Sequence, residues 1–226
     1  MIRLIFIVEG ETEEEFVNTV LRSHFQDHYD YWATSCYKIK ATKGGLTKYS
    51  YLRKDILKAI KEAQAFVTTM IDFYGLPSDM PGYNIAQQTR NSDRAITVLT
   101  KAMADDINAS NFLPYLQKHE FEALLFSDGH AFAEYEEDSS IVEKITAIAQ
   151  QFGDCPETIN NHPQTAPSKR LMELYKNASP PLKYDKVFMG TLIAETIGLP
   201  TIRQKCPHFN QWLTKLETII GPPNKG

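Results

Sequence analysis

The run Ile2-Arg3-Leu4-Ile5-Phe6-Ile7-Val8 is apolar everywhere but at Arg3, and it stops at once in Glu9-Gly10-Glu11-Thr12-Glu13-Glu14-Glu15. A β-branched and aromatic stretch without helical spacing, closed by glycine, predicts a strand covered on both faces, as in a parallel sheet. Glu9 then sits where that strand emerges. The carboxyl ends of strands in open parallel sheets form the crevice where ligands bind, so an acid there is placed for chemistry. The following residues predict a helix start, with Thr12 as N-cap, Glu15 closing a capping box, and Glu13 and Glu14 facing the positive end of the macrodipole. Capping accounts for most of the acidic cluster without Glu9.

A second carboxylate repeats the arrangement. Ala65-Phe66-Val67-Thr68-Thr69-Met70-Ile71 reads as another buried strand and stops at Asp72, before the turn-rich Phe73-Tyr74-Gly75-Leu76-Pro77. If the two strands are parallel neighbours, Glu9 and Asp72 converge. Two such carboxylates repel unless a cation lies between them or one keeps its proton, and hard oxygen ligands suit Mg2+ or Mn2+. The alternative role for Asp72 is to cap the turn that follows it.

With 226 residues the chain is long enough to bury on the order of 70% of its unfolded surface without disulfides or metals. Cys36, Cys155 and Cys206 form no CxxC pair, which argues for a reducing compartment, with the cytoplasm as the expected location, and against structural zinc. The first residues resemble neither a signal peptide nor a membrane span. The net charge of −4 is uneven: residues 1–149 carry 15 Lys/Arg against 22 Asp/Glu, whereas 150–226 carry 9 against 6. Phosphate backbones are gripped chiefly by positive charge, so a nucleic-acid substrate would need the C-terminal part or a partner to hold it.

Along the chain, a helix is predicted over 12–28, strands over 34–41, 65–71 and 112–118, and helices near 51–63 and 94–108. This β-α-β-α-β-α-β alternation predicts an α/β fold, a mostly parallel four-stranded sheet flanked by helices. Beyond Glu120 helical periodicity takes over, at 141–152, 169–175, 186–197 and 209–220. The expected organisation is an α/β domain over 1–128 and a helical C-terminal extension over 129–226, ending in a frayed tail from Gly221.

Six motifs in order, Val8-Glu9-Gly10-Glu11-Thr12-Glu13, Lys43-Gly44-Gly45, Ile71-Asp72-Phe73-Tyr74-Gly75-Leu76-Pro77, His119-Glu120-Phe121-Glu122-Ala123-Leu124-Leu125-Phe126, Ala166-Pro167-Ser168-Lys169-Arg170 and Cys206-Pro207-His208-Phe209, resemble the bacterial family catalogued as domain of unknown function 4276. The resemblance implies a Toprim-like fold, in which a Glu after the first strand and an Asp-x-Asp after a later one bind Mg2+ and handle phosphodiesters. Glu9 and Asp72 match the first two of these acids. Tyr74 stands where the third is expected, and Glu120 and Glu122 are its substitutes; their other reading is first-turn helix acids. The resemblance further implies a Mg2+- or Mn2+-dependent nuclease paired with an AAA- or ABC-type ATPase in a bacterial anti-phage defence system. The alternative is a non-catalytic, degenerate Toprim module that regulates or assembles with the ATPase.

Three constellations complete the expected site. Lys43, Gly44 and Gly45 follow the second strand, where glycine lets backbone N–H groups approach a phosphate; Gly-Gly is otherwise a turn. Pro167 opens a helix whose N–H groups, with Lys169 and Arg170, would hold an anion; a solvated basic face is the other reading. His119 is placed as a general base, or as a structural hydrogen-bonding histidine. Ser168 and Lys169 are adjacent and do not face each other on a helix, so a Ser-Lys hydrolase is not expected. Cys206-Pro207-His208 reads as a helix entry and Tyr74 as a packing aromatic.

Overall fold

The computed structural model describes residues 2–40, 45–136, 138–159, 162–178 and 180–223. They form two compact units, one of residues 1–118 with 216–226 and one of residues 119–215.

The first unit is built on a parallel sheet. Strands β1 (Arg3–Val8), β2 (Thr34–Lys38), β3 (Ala65–Asp72), β4 (Phe112–Leu113) and β5 (Leu116–Gln117) take the order β2-β1-β3-β4, with β5 also pairing to β3. Every pairing is parallel. From Leu4 to Val8 β1 is wholly shielded from solvent, as its uninterrupted apolar sequence requires. Alternate residues of β1 serve opposite faces. Ile5 and Ile7 share a core with Leu52 and Ile56 of helix α3 (Tyr49–Ala59) and Leu99 and Met103 of α5 (Ser92–Ile107). Phe6, between them, sets its ring 6.3 Å from Phe25. Phe25 lies on the helix that runs from α1 (Glu11–Phe16) through a π-helical turn (Val17–Leu21) into α2 (Arg22–Tyr29). Helices therefore cover the sheet on both faces. The short α4 (Tyr83–Gln87), absent from the sequence expectation, precedes α5.

The expected fourth strand is divided by Pro114, which has no N–H for the ladder. Two threonines of β3 take over there. Thr68 Oγ1 donates to the Leu113 carbonyl at 2.8 Å, and Thr69 Oγ1 both donates to the Tyr115 carbonyl and accepts from the Tyr115 N–H, each at 2.8 Å. Backbone pairing then resumes at Ile71↔Leu116 and Asp72↔Gln117. The first helix begins two residues earlier than expected. Its N-cap is Gly10, whose N–H donates to Glu13 Oε2 at 2.8 Å, so Glu13 rather than Glu15 makes the backward half of a capping box, glycine having no side chain for the other half, and Glu13 is buried in doing so.

The second unit is helical. It contains 3-10 turns at Phe121–Ser127, Gly129–Glu134 and Pro156–Thr158, helices α6 (Ser139–Gln151), α7 (Pro167–Lys176), α8 (Lys186–Ile197) and α9 (Leu199–Lys205), and the greater part of α10 (Pro207–Ile220). The motif that begins at His119 therefore enters a 3-10 helix at Phe121 instead of an α-helix, with Glu120 as its N-cap, and α9 is a helix the periodicity did not separate. Among the described residues no helix is long and apolar enough to cross a membrane.

Replacing Thr69 with valine keeps the shape of the side chain but leaves the buried N–H and carbonyl of Tyr115 without their partner. Urea denaturation of T69V is expected to show a loss of about 1–3 kcal/mol.

Candidate functional site

The order β2-β1-β3-β4 puts a topological switch point between β1 and β3: the chain leaves β1 to one side for β2, then crosses back for β3. Ligands of open parallel sheets bind outside the carboxyl ends of the strands at such a point. Val8 pairs with Met70 in register, so Glu9 follows β1 and Asp72 closes β3 at the same end of adjacent strands.

A hydrogen bond joins the Glu9 carboxylate to the backbone of Asp72. Glu9 Oε2 accepts from the Asp72 N–H at 3.2 Å, and Glu9 Oε1 accepts from the Leu46 N–H at 3.0 Å. Gly45 makes the second bond possible. It holds φ at +110°, in the region that favours glycine, and a Cβ there would lie 3.0 Å from Glu9 Oε1. Asp72 is 8% exposed and ends its strand opposite Gln117, itself fully buried with its Oε1 accepting from the Tyr115 hydroxyl at 2.7 Å. Lys118 follows β5, is 8% exposed, and places its Nζ 2.6 Å from Asp93 Oδ1. Asp79 accepts from the Tyr49 N–H at the start of α3. Sequence reasoning missed Lys118, Asp93 and Asp79. A lysine closing the apolar run 112–117 was the available signal for the first; the other two owe their places to tertiary contacts. Tyr74 is half-buried in the turn after β3. Of the expected phosphate loop, Gly45 is placed against Glu9, while Lys43 and Gly44 lie outside the described residues.

The remaining expected site residues belong to the second unit. Glu120 spends both oxygens on Ser168: Oε2 accepts from its N–H and Oε1 from its hydroxyl, each at 2.9 Å. The anion at the N-terminus of α7 is thus a carboxylate of the protein itself. Beside it, exposed Lys169 faces solvent, and Arg170 donates from Nε to the Thr165 carbonyl, with its guanidinium 5.2 Å over the Phe152 ring. Glu122 is fully buried, and Lys186 Nζ lies 3.0 Å from its Oε1. The Glu122 carboxyl is raised to about 7: burial is the largest cause, Lys186 opposes it, and the neighbouring Glu120 adds to it. His119 is buried, with a left-handed backbone at φ 68°. In the Cys206-Pro207-His208 motif the thiol is raised by burial and lies 3.4 Å from Ser127 Oγ, while Glu157 accepts from the His208 and Phe209 N–H groups at 2.8 Å each. That motif is a helix entry capped by a buried acid.

The group that could hold a cation in the first unit is the pair Glu9 and Asp72. Among the described residues no set of three or more His, Cys, Asp or Glu side chains is arranged to bind a metal. The donors are hard carboxylates without imidazole or thiolate, which suits Mg2+, an ion commonly held by one or two carboxylates while it keeps several waters.

The fold and this edge define an α/β protein whose parallel sheet carries Glu9 and Asp72 at the ends of adjacent strands at its switch point. The chain belongs to the family described as Domain of unknown function (DUF4276), which matches residues 8–217. No curated protein and no solved structure matches it.

Two outcomes follow from these contacts. G45A introduces a Cβ against the Glu9 carboxylate at a φ that alanine resists, so thermal unfolding is expected at lower temperature, with a loss of about 1–3 kcal/mol. Glu122 has a folded-state value above the ordinary 4.5, so its contribution to stability is complete below pH 4.5 and is lost as pH rises through about 7. Denaturation of wild type and E122Q between pH 4 and 8 is expected to show the wild type losing about 3 kcal/mol relative to the variant across that range.

Proposed function

We propose that the protein is a divalent-cation-dependent phosphodiesterase, a nuclease that resembles Toprim enzymes and works with an ATPase partner in a bacterial defence-like system. The observation that carries this reading is the pairing of Glu9 with Asp72 at the switch point of the sheet. Glu9 and Asp72 would hold Mg2+ or Mn2+, and the ion would supply positive charge against a phosphoryl oxygen. The backbone bonds from Leu46 and Asp72 fix the Glu9 carboxylate before any substrate arrives, which removes a reorganisation cost from the reaction. Asp72, shielded from bulk water, would attract such a cation more strongly than an exposed carboxylate does. Lys118 is the cation at the carboxyl end of β5 and is oriented by Asp93, available to hold the phosphate in register.

A second reading, a non-catalytic module that regulates or assembles with the ATPase, is favoured by two observations: both Glu9 oxygens already accept backbone hydrogen bonds, and Tyr74 stands where the resemblance expects a further acid. The two readings part on activity. With Mg2+ or Mn2+, alone or with its ATPase, the protein is expected to nick plasmid DNA or cut RNA, and D72N is expected to lower the rate at least a hundredfold without changing its circular dichroism. Cutting that persists in D72N removes the carboxylate-metal model, and no cutting by wild type under any of these conditions favours the non-catalytic module.

A further inference from the structure

We infer that the outer face of α3 is the surface on which a polynucleotide's phosphate backbone is held. This deepens the reading above, on which the choice of polymer rests. A groove of about 550 Å³ is lined by Ser50, Arg53, Lys54, Leu57, Lys58 and Lys61. Lys54, Lys58 and Lys61 are exposed, and their spacing of four and three residues stacks them along one side of the helix and its C-terminal turn. None of the three enters an ion pair among the described residues. Arg53 is the fourth cation, steadied by Asp106 Oδ2, which accepts from Arg53 Nε at 2.8 Å and from the Tyr49 hydroxyl at 2.9 Å.

Such a row is costly for the fold, because like charges one turn apart repel. It is also out of keeping with residues 1–149, in which acids outnumber bases by 22 to 15. A polyanion relieves that repulsion. From Lys54 to Lys58 the helix rises about 6 Å, the axial length of about two phosphates on one strand of a duplex, and Lys61 extends the row into the turn that follows. The lining carries no aromatic ring for a base to stack on, so the contact is with the backbone, independent of sequence and sensitive to salt. An anionic membrane fits less well. The apolar side of α3, Leu52 and Ile56, is committed to the core, and Leu57 is the one aliphatic side chain in the groove.

The test is fluorescence anisotropy with labelled single-stranded and duplex oligonucleotides, DNA and RNA, in EDTA over a range of KCl concentrations. The triple variant K54E/K58E/K61E is expected to bind at least about tenfold more weakly at 100 mM KCl, and its slope of log affinity against log salt to fall by about two to three. K54Q/K58Q/K61Q, which spares α3 the new acids, is expected to fall between the two. The control K101E/K144E/K215E, with the same change in net charge, is expected to stay within about twofold of wild type. D72N keeps wild-type binding in EDTA even where it has lost cutting, which separates failure of the groove from failure of the carboxylate pair. Unchanged affinity and salt slope in both α3 variants overturns the inference. So does binding of the wild type to phosphatidylserine vesicles but to no oligonucleotide, and so does the absence of any oligonucleotide binding by wild type.

Discussion

One carboxylate ties the working edge of the first unit together. Glu9 leaves the end of β1 and accepts N–H groups from two other segments, Leu46 after β2 and Asp72 at the end of β3. The three strands at the switch point are thereby joined beyond their ladders by a carboxylate that accepts from the backbone of two of the segments. Charge-assisted hydrogen bonds of this kind are about twice as strong as neutral ones, and they leave the net negative charge in place. Gly45 is part of the same device, since its left-handed backbone brings Leu46 in and any Cβ would push against Glu9.

The buried acids of the second unit show how differently the same side chain serves when it meets a helix. Glu120 caps α7 through Ser168, and Glu157 caps α10 through His208 and Phe209. Both stand far in sequence from the helices they terminate, and both satisfy N–H groups that would otherwise be orphaned. Glu122 has an ammonium beside it and is still raised by burial, so its proton is more tightly held than its exposed counterparts'. These are stabilising roles, and they leave Glu9 and Asp72 as the acids on which the phosphodiesterase reading rests.

What the sequence revealed and what it hid divide along a physical line. β1 and β3 were legible because strands buried on both faces must be apolar throughout, and their ends were legible because Glu9 and Asp72 break that rule abruptly. Periodicity likewise placed α5, α6, α8 and α10 to within a turn. The fourth strand read as continuous because its apolar pattern crosses Pro114, whereas the break is repaired by Thr68 and Thr69 from a different strand. The helix start at Ala166-Pro167-Ser168-Lys169 was legible as an anion site, but its anion, Glu120, is 48 residues away and no local pattern links them. The lysines along α3 and its C-terminal turn carry no motif, and only the groove sets them side by side.

Paramagnetic broadening addresses the carboxylate pair directly, because two of the amides concerned donate to Glu9. Substoichiometric Mn2+ added to 15N-labelled protein should first erase the amide signals of Gly45, Leu46 and Asp72, and D72N should need far more Mn2+ for the same effect. If those signals persist while others vanish, or if wild type and D72N broaden alike, the edge of the sheet does not hold the ion and the carboxylates are there to join strands alone.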